Sequence, residues 1–285
     1  MSAPLPAATF EIFASLLKAR SGLVIGPDKS YLLETRLGGM LRREKLPDLT
    51  ALGRKLRGAG AENLVREVVE AMTTNESFFF RDDKPFLHVR TKALPQLIAA
   101  RPVGSNLRIW SAAASSGQEA YSLAMLMQEA KAALGTRKVE IVGTDIARDQ
   151  LLRAREGVYS QFEIQRGLPM AMLVKYFKKD PPNWQINDVL RPMVQFREWN
   201  FLADLRPLGQ FDIVFCRNVL IYFDLPTKTR VLEAIAQQMR PDGLLYLGGA
   251  ETVMGVTSHF AAVDGERGVY QRQTVTTARP MVAAR

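Results

Sequence analysis

Over the first 75 residues, apolar side chains recur at helical spacing. Phe10, Phe13, Leu16 and Leu17 form one stripe that Gly22 ends, and Pro27 suits the first turn of a second helix carrying Leu33, Leu37, Met40 and Leu41. Asp48 can cap a third helix through Leu56, and Leu64, Val65, Val68, Val69 and Met72 line a fourth. No strand pattern interrupts them, so residues 1–75 predict a small all-helical domain. Residues 76–106 read as a linker and a helix.

From Leu107 the pattern changes to short apolar runs alternating with amphipathic segments, as in an α/β fold with a doubly wound, mostly parallel sheet. Predicted strands are Leu107 to Trp110, Val139 to Thr144, Val194 to Trp199, Phe211 to Cys216 and Leu244 to Gly248. Helices are expected over Gln118 to Ala133, Arg148 to Arg155 and Leu225 to Met239, with Pro241-Asp242-Gly243 turning the last into the fifth strand. Residues 158–193 are too many for a helix-to-strand connection of about 2 to 6 residues, so they predict an inserted subdomain. It should hold a helix near Met170 to Phe177, a Pro181-Pro182 break, and extended pieces around Trp184 to Asn187 and Val189 to Leu190. The main domain thus runs over 107–274, and a tail over 275–285 is expected to fray.

Composition narrows the classes. With 285 residues and 47% hydrophobic content, the chain can bury a large core, which excludes general disorder. No apolar run nears the ~18 residues of a membrane span, and Met1 to Ala8 lacks signal-peptide features, so a cytoplasmic location is expected. One cysteine permits no internal disulfide, and with two histidines no zinc site, or other metal centre, is expected. The net charge of +9 implies an acidic partner without choosing it. Residues 36–57 concentrate that charge, with seven basic side chains (Arg36, Arg42, Arg43, Lys45, Arg54, Lys55 and Arg57) against Glu44 and Asp48.

Ligands of open α/β sheets bind beyond the carboxyl ends of the strands, so residues there are the candidates for chemistry. After the first strand, Ser111-Ala112-Ala113-Ala114-Ser115-Ser116-Gly117-Gln118-Glu119 is a small-residue loop that lets a ligand approach backbone and a helix amino end. It carries one glycine and is not a dinucleotide fingerprint. Asp145 follows the second strand, where an acid can accept both hydroxyls of a ribose. Asn200 follows the third and Asn218 the fourth. Each feature alone is commonly a turn or a cap; in this order they match the needs of an adenosine pocket. Cys216 sits in an apolar run and reads as buried, while His88 and His259 lack catalytic partners. Asp180-Pro181-Pro182-Asn183 reads as a turn, because it lies in the insertion and lacks the aromatic fourth residue of nucleic-acid amino methylases.

Four segments resemble the chemotaxis receptor glutamate methyltransferases, the CheR family, within a likeness running from about residue 10 to 273. They are Thr73-Thr74-Asn75-Glu76-Ser77-Phe78-Phe79-Phe80-Arg81, Trp110 through Glu119, Phe211 through Phe223, and Pro241-Asp242-Gly243-Leu244. The resemblance implies a Rossmann-like class I methyltransferase fold, S-adenosyl-L-methionine as cofactor and receptor glutamate as methyl acceptor. By position it implies cofactor contacts from Asn75, Ser77, Arg81, Glu119, Asp145, the Asn200-Phe201 pair and the Asn218-Val219 pair. Gln118, Ala120, Ser77 and Phe201 depart from the family's commoner acid, proline, threonine and leucine, changes that bear on affinity more than on function. The insertion resembles the family's small β-subdomain, which in some members docks a receptor's C-terminal pentapeptide. The stretch between Phe177 and Val189 is a few residues short for that, so a version without the tether is expected.

A glutamate of ordinary pKa ~4.3 is ionised at neutral pH and needs no general base to attack a sulfonium methyl. Arg81 and Tyr222 are the expected groups for positioning that carboxylate. The expected partner is the cytoplasmic helical region of chemoreceptors, with no nucleic acid and no membrane insertion. Two alternatives compete: a methyltransferase acting on nucleic acid, suggested by the charge, and a non-catalytic module that binds the cofactor and signals.

Overall fold

The computed structural model describes residues 5–273. Four helices form the amino-terminal domain: α1 (Ala7–Ser21), α2 (Tyr31–Arg43), α3 (Leu49–Lys55) and α4 (Glu62–Met72). Their stripes meet in one core in which Phe13, Leu17, Leu33, Leu37, Leu52 and Val68 are inaccessible. Gly22 ends α1 with φ of 79°, and the Asp48 carboxylate caps α3 by accepting the Ala51 N–H at 2.7 Å. Pro27 opens a separate 3₁₀ turn, Pro27–Lys29, and α2 begins only at Tyr31, a small correction to the helix start.

The connecting segment is α5 (Lys84–His88) and α6 (Leu94–Ala100), joined by a wider π turn at Val89–Ala93. Pro95 lacks the N–H that a regular α-helix would use there.

Seven strands make the main sheet, in the order β6-β2-β1-β7-β8-β10-β9: β1 (Leu107–Ala112), β2 (Val139–Asp145), β6 (Val194–Glu198), β7 (Phe211–Cys216), β8 (Met239–Leu247), β9 (Phe260–Ala262) and β10 (Val269–Arg272). The first five in that order run parallel, and β10 and β9 pair antiparallel on the edge. Helices α7 (Gln118–Glu129), α8 (Lys131–Leu134), α9 (Arg148–Glu156) and α12 (Leu225–Gln237) flank it. All six residues of β7 are buried, as a central strand covered on both faces requires. The order reverses between β1 and β7, opening a crevice at their carboxyl ends.

The insertion holds β3 (Val158–Ser160), α10 (Gln161–Gln165), α11 (Met170–Tyr176), β4 (Phe177–Asp180) and β5 (Asn183–Ile186), with the strands in an antiparallel sheet of order β3-β5-β4. Phe79 from the linker packs edge-on against Tyr159 and Phe177, seating the insertion on the main core.

Several boundaries differ from the sequence expectation. Helix α7 stops at Glu129, and Lys131–Leu134 is a separate turn of helix. Strand β8 begins at Met239 and runs through Pro241-Asp242-Gly243. Met239 pairs with Phe211 and Leu244 with Ile213, so the expected turn is a bulge within the strand, a place that tolerates proline. Val189-Leu190 is not extended, since the Leu190 N–H closes a turn on the Asn187 carbonyl at 3.1 Å. Strands β3, β4, β9 and β10 were not anticipated. The expected frayed tail lies outside the described residues.

Candidate active site

A cavity opens beyond β1, β2 and β7, with about 970 Å³ of empty space counted out to its open mouth. Its floor is the sheet and its far wall comes from the helical domain and the linker, through Ser21, Leu23 and residues 73–78. The end of α1 clasps the segment after β7. Leu23 forms an antiparallel bridge to Phe223, the Val24 N–H donates to the Tyr222 carbonyl at 2.9 Å, and Lys18 pairs with Asp224 at 2.7 Å.

The small-residue loop is locally contorted. Ala113 and Ser115 have φ of 62° and 50°, which smaller side chains tolerate best, and Gly117 has φ of 95°. A Cβ on Gly117 would meet Ala154 and the Phe196 ring at 3.0 Å, so the start of α7 can sit this close to the sheet only with glycine there. The loop's Ser115 N–H donates to Asp145 Oδ2 at 2.8 Å, and the Ala147 N–H donates to Oδ1 at 2.9 Å. Asp145 is otherwise buried, and burial pushes its carboxyl above the usual range while the backbone N–H groups oppose that rise. The two bonds use only part of its acceptor capacity, and Asp145 lines the cavity.

Glu119, on the first turn of α7, accepts from Ser111 Oγ at 2.8 Å and from Arg217 at 3.1 Å. Burial pushes its carboxyl up, and the Arg217 guanidinium opposes that shift. Asn218 stands in the left-handed region, φ 59°, two residues past the end of β7. The Asn218, Val219 and Leu220 N–H groups, with that of Gly248, all donate to the Glu251 carboxylate at 2.7 to 2.9 Å, which fixes the loop beneath the cavity.

The remaining expected residues also border the cavity, with one difference of role. Asn75 offers its main-chain carbonyl to Ser115 Oγ at 2.8 Å, and Ser77 follows on the same wall. Arg81 lies over the Phe78 ring at 5.1 Å and donates to the Glu76 carbonyl at 3.0 Å. Phe201 packs edge-on against Phe223, and Tyr222 is half-buried on the 3₁₀ turn Leu220–Tyr222. The Asn200 side chain, however, is already engaged. Its amide donates to the Arg20 carbonyl at 2.6 Å and its oxygen accepts the Leu202 N–H at 2.9 Å, so it ties the two domains together.

Sequence reasoning passed over Arg217 and Glu251. The signal was present for both: a cation directly after the apolar run Ile213-Val214-Phe215-Cys216, and an acid following the small residues Gly248-Gly249-Ala250 at the end of β8. Cys216 is fully buried, and burial pushes its thiol well up, which keeps it inert. His88 is buried beside the Tyr246 hydroxyl at 2.8 Å, away from the cavity.

An acid with spare acceptor capacity at the end of β2, a second buried acid at a helix amino end, and apolar walls from Ile146, Trp199, Phe201 and Val219 suit a nucleoside with a charged amino acid tail. Doubly wound enzymes that bind a nucleoside cofactor at the switch point are the class this defines. Residues 75–269 match the family model described as "CheR methyltransferase, SAM binding domain", and residues 8–73 match "CheR methyltransferase, all-alpha domain". The chain is 38% identical to a chemotaxis protein methyltransferase of Pseudomonas putida over 91% of its own length and 96% of the relative's. It is 40% identical to a second from Pseudomonas aeruginosa over 93% and 97%, and 37% identical to one from Vibrio parahaemolyticus over 90% and 94%. The chain belongs to the CheR methyltransferase family. It is an S-adenosylmethionine-dependent methyltransferase of chemotaxis. No helix among the described residues is long and apolar enough to cross a membrane.

Proposed function

We propose that this enzyme esterifies glutamate side chains on the cytoplasmic helical region of chemoreceptors, acting in the cytoplasm. The observation that carries this reading is the cavity lining: Arg81 and Tyr222 stand there as donors for a carboxylate, while its acids Glu76, Asp145 and Glu119 are engaged with Arg166, the Ser115 and Ala147 N–H groups and Arg217. An amine or hydroxyl acceptor must shed a proton on the way to product, whereas a carboxylate with pKa ~4.3 is already a nucleophile at pH 7.

When bound, S-adenosylmethionine supplies a methyl group on a positively charged sulfur. Asp145 would hold the ribose hydroxyls, Glu119 the ammonium, and Asn75, Ser77, Phe201 and the Asn218-Val219 pair the remaining surfaces. Asn200, with its amide committed to Arg20 and Leu202, would act through its backbone and its place on the wall. Arg81 and Tyr222 would orient the incoming carboxylate at the mouth by a charged and a neutral hydrogen bond. Attack needs the two reactants in line and shielded from water, and the wall contributed by the helical domain favours both.

The β4–β5 hairpin closes with only Pro181 and Pro182 between its strands, which supports a subdomain that works without a pentapeptide tether. A protein substrate suits the charge of the helical domain better than nucleic acid does, because the basic surface carries no interleaved aromatics. Receptor-rich membranes incubated with methyl-labelled cofactor should incorporate label that base releases as methanol. Label that survives base would point to methylated amines and reject the proposal, and no transfer at all would favour a binding module.

A further inference from the structure

One side chain joins parts of the site that lie far apart in sequence. Arg217 directly follows β7, with its side chain 1% exposed. One Nη donates to Glu119 at 3.1 Å, and the other donates to the Asp82 carboxylate at 2.6 Å and the Arg81 carbonyl at 2.9 Å. The Phe86 ring borders the guanidinium, 5.8 Å from Cζ. The loop it grips is unusual. Phe80, Asp82 and Asp83 have φ of 49°, 67° and 34°, a region that non-glycine residues keep only where their surroundings enforce it. Ser122 Oγ holds that loop at its start, through the Phe80 N–H at 2.9 Å, and Arg217 holds it at Arg81 and Asp82.

We propose that Arg217 is the positioning residue of this site: one buried guanidinium clamps Glu119 and the Arg81 loop into a single geometry, so that cofactor capture and carboxylate orientation are set together. The inference rests on the methyl-transfer reading above and adds a residue to it. A lysine cannot substitute, since its ammonium is a point charge without the planar fork that reaches three acceptors.

The groups that act on Glu119 are Arg217, the Ser111 hydroxyl, the more distant Arg81, and the buried Cys216 thiol, which feels its charge. With Arg217 gone, Glu119 keeps its burial and loses its nearest cation, so its carboxyl should hold its proton to higher pH than in the wild type. Binding that needs the anion then becomes pH-dependent, tightening as pH rises.

The test uses the full chain, S-adenosylhomocysteine as probe in calorimetry between pH 6 and 8.5, and single-turnover methyl transfer to receptor. Arg217→Met should bind about tenfold more weakly at pH 7 and recover toward pH 8.5 by clearly more than the wild type gains over the same range. Adding Glu119→Gln should abolish that slope. Should Arg217→Met fail to fold, Arg217→Lys and Asp82→Asn decide. Asp82 is half-exposed, so its variant should fold, bind the probe within about twofold of wild type, and lower kcat about tenfold without raising KM. Flat binding profiles in the Arg217 variants together with unchanged kcat in Asp82→Asn would overturn the proposal. Wild-type transfer of base-labile methyl in the same experiment separates that outcome from failure of the functional reading.

Discussion

Replacing Asp145 with alanine tests the site at its most constrained point. The carboxylate receives backbone N–H groups from Ser115 and Ala147 at 2.8 and 2.9 Å, and its spare acceptor capacity borders the cavity. Hydrogen bonds to a charged acceptor contribute about 1.5 to 3 kcal/mol each, so losing two ribose hydroxyl contacts should cost about 3 kcal/mol at the low end. That corresponds to about a 100-fold rise in Kd. Calorimetry with S-adenosylhomocysteine measures it directly, and a melting curve checks that the orphaned N–H groups have not unfolded the loop. Asp145→Asn should lose less, because one oxygen remains, although its amide NH₂ must then face a backbone donor. The pH profile adds a second reading. Burial raises the Asp145 carboxyl above its usual range, so wild-type affinity should fall as pH drops through that raised value, and the Asn variant should stay flat there. Near-native binding by the alanine variant would refute the ribose assignment.

Four further outcomes are expected. Tyr222→Phe should lower kcat about tenfold and leave probe affinity unchanged, as removal of one neutral hydrogen bond to the reacting carboxylate requires; stopped-time transfer assays would show it. Glu251→Gln should destabilise the protein by about 2 to 4 kcal/mol in denaturant unfolding, since an amide cannot accept from all four N–H groups, two of them buried. Charge reversal in the helical domain should use Arg42 and Lys45, which are exposed and form no ion pair among the described residues, because Arg43 is engaged with Glu44 and Glu67. Receptor methylation should weaken at low salt with cofactor affinity intact, and equal rates would remove the docking role. The Asp224 carboxyl is held down to about 2, chiefly by Lys18 and then by Thr227. Its folded value lies below the unfolded ~3.9, so its stabilisation is present above about pH 4 and lost as pH falls toward 2. Wild type and Asp224→Asn should therefore differ in Tm at pH 6 and converge near pH 2.

The long elements were legible because their patterns are redundant. Five apolar strands and four helical stripes each carry several residues in agreement, and Asp48 announced its cap. The short strands β3, β4, β9 and β10 were not legible. Three or four residues give too little alternation to separate a strand from a loop, and their pairing depends on partners far along the chain. Pro241-Asp242-Gly243 misled for a related reason, since the same residues serve a turn and a bulge. Strand-end placement brought Asp145 and Asn218 to the cavity, since that needs only a known offset from a strand. It could not find Arg217 or the fate of the Asn200 amide, because those depend on contacts to Glu119, Asp82 and Arg20 that no spacing encodes.

The far wall of the cavity belongs to the helical half, through the bridge from Leu23 to Phe223 and the strip that begins at Thr73. Occupancy and interdomain adhesion are therefore thermodynamically linked. A guest that touches both halves glues them, raising the unfolding free energy by RT ln(1 + [L]/Kd), and whatever pries the halves apart must evict it. Mutations at this seam, remote from any reacting atom, should then surface as changes in retention time of spent nucleoside.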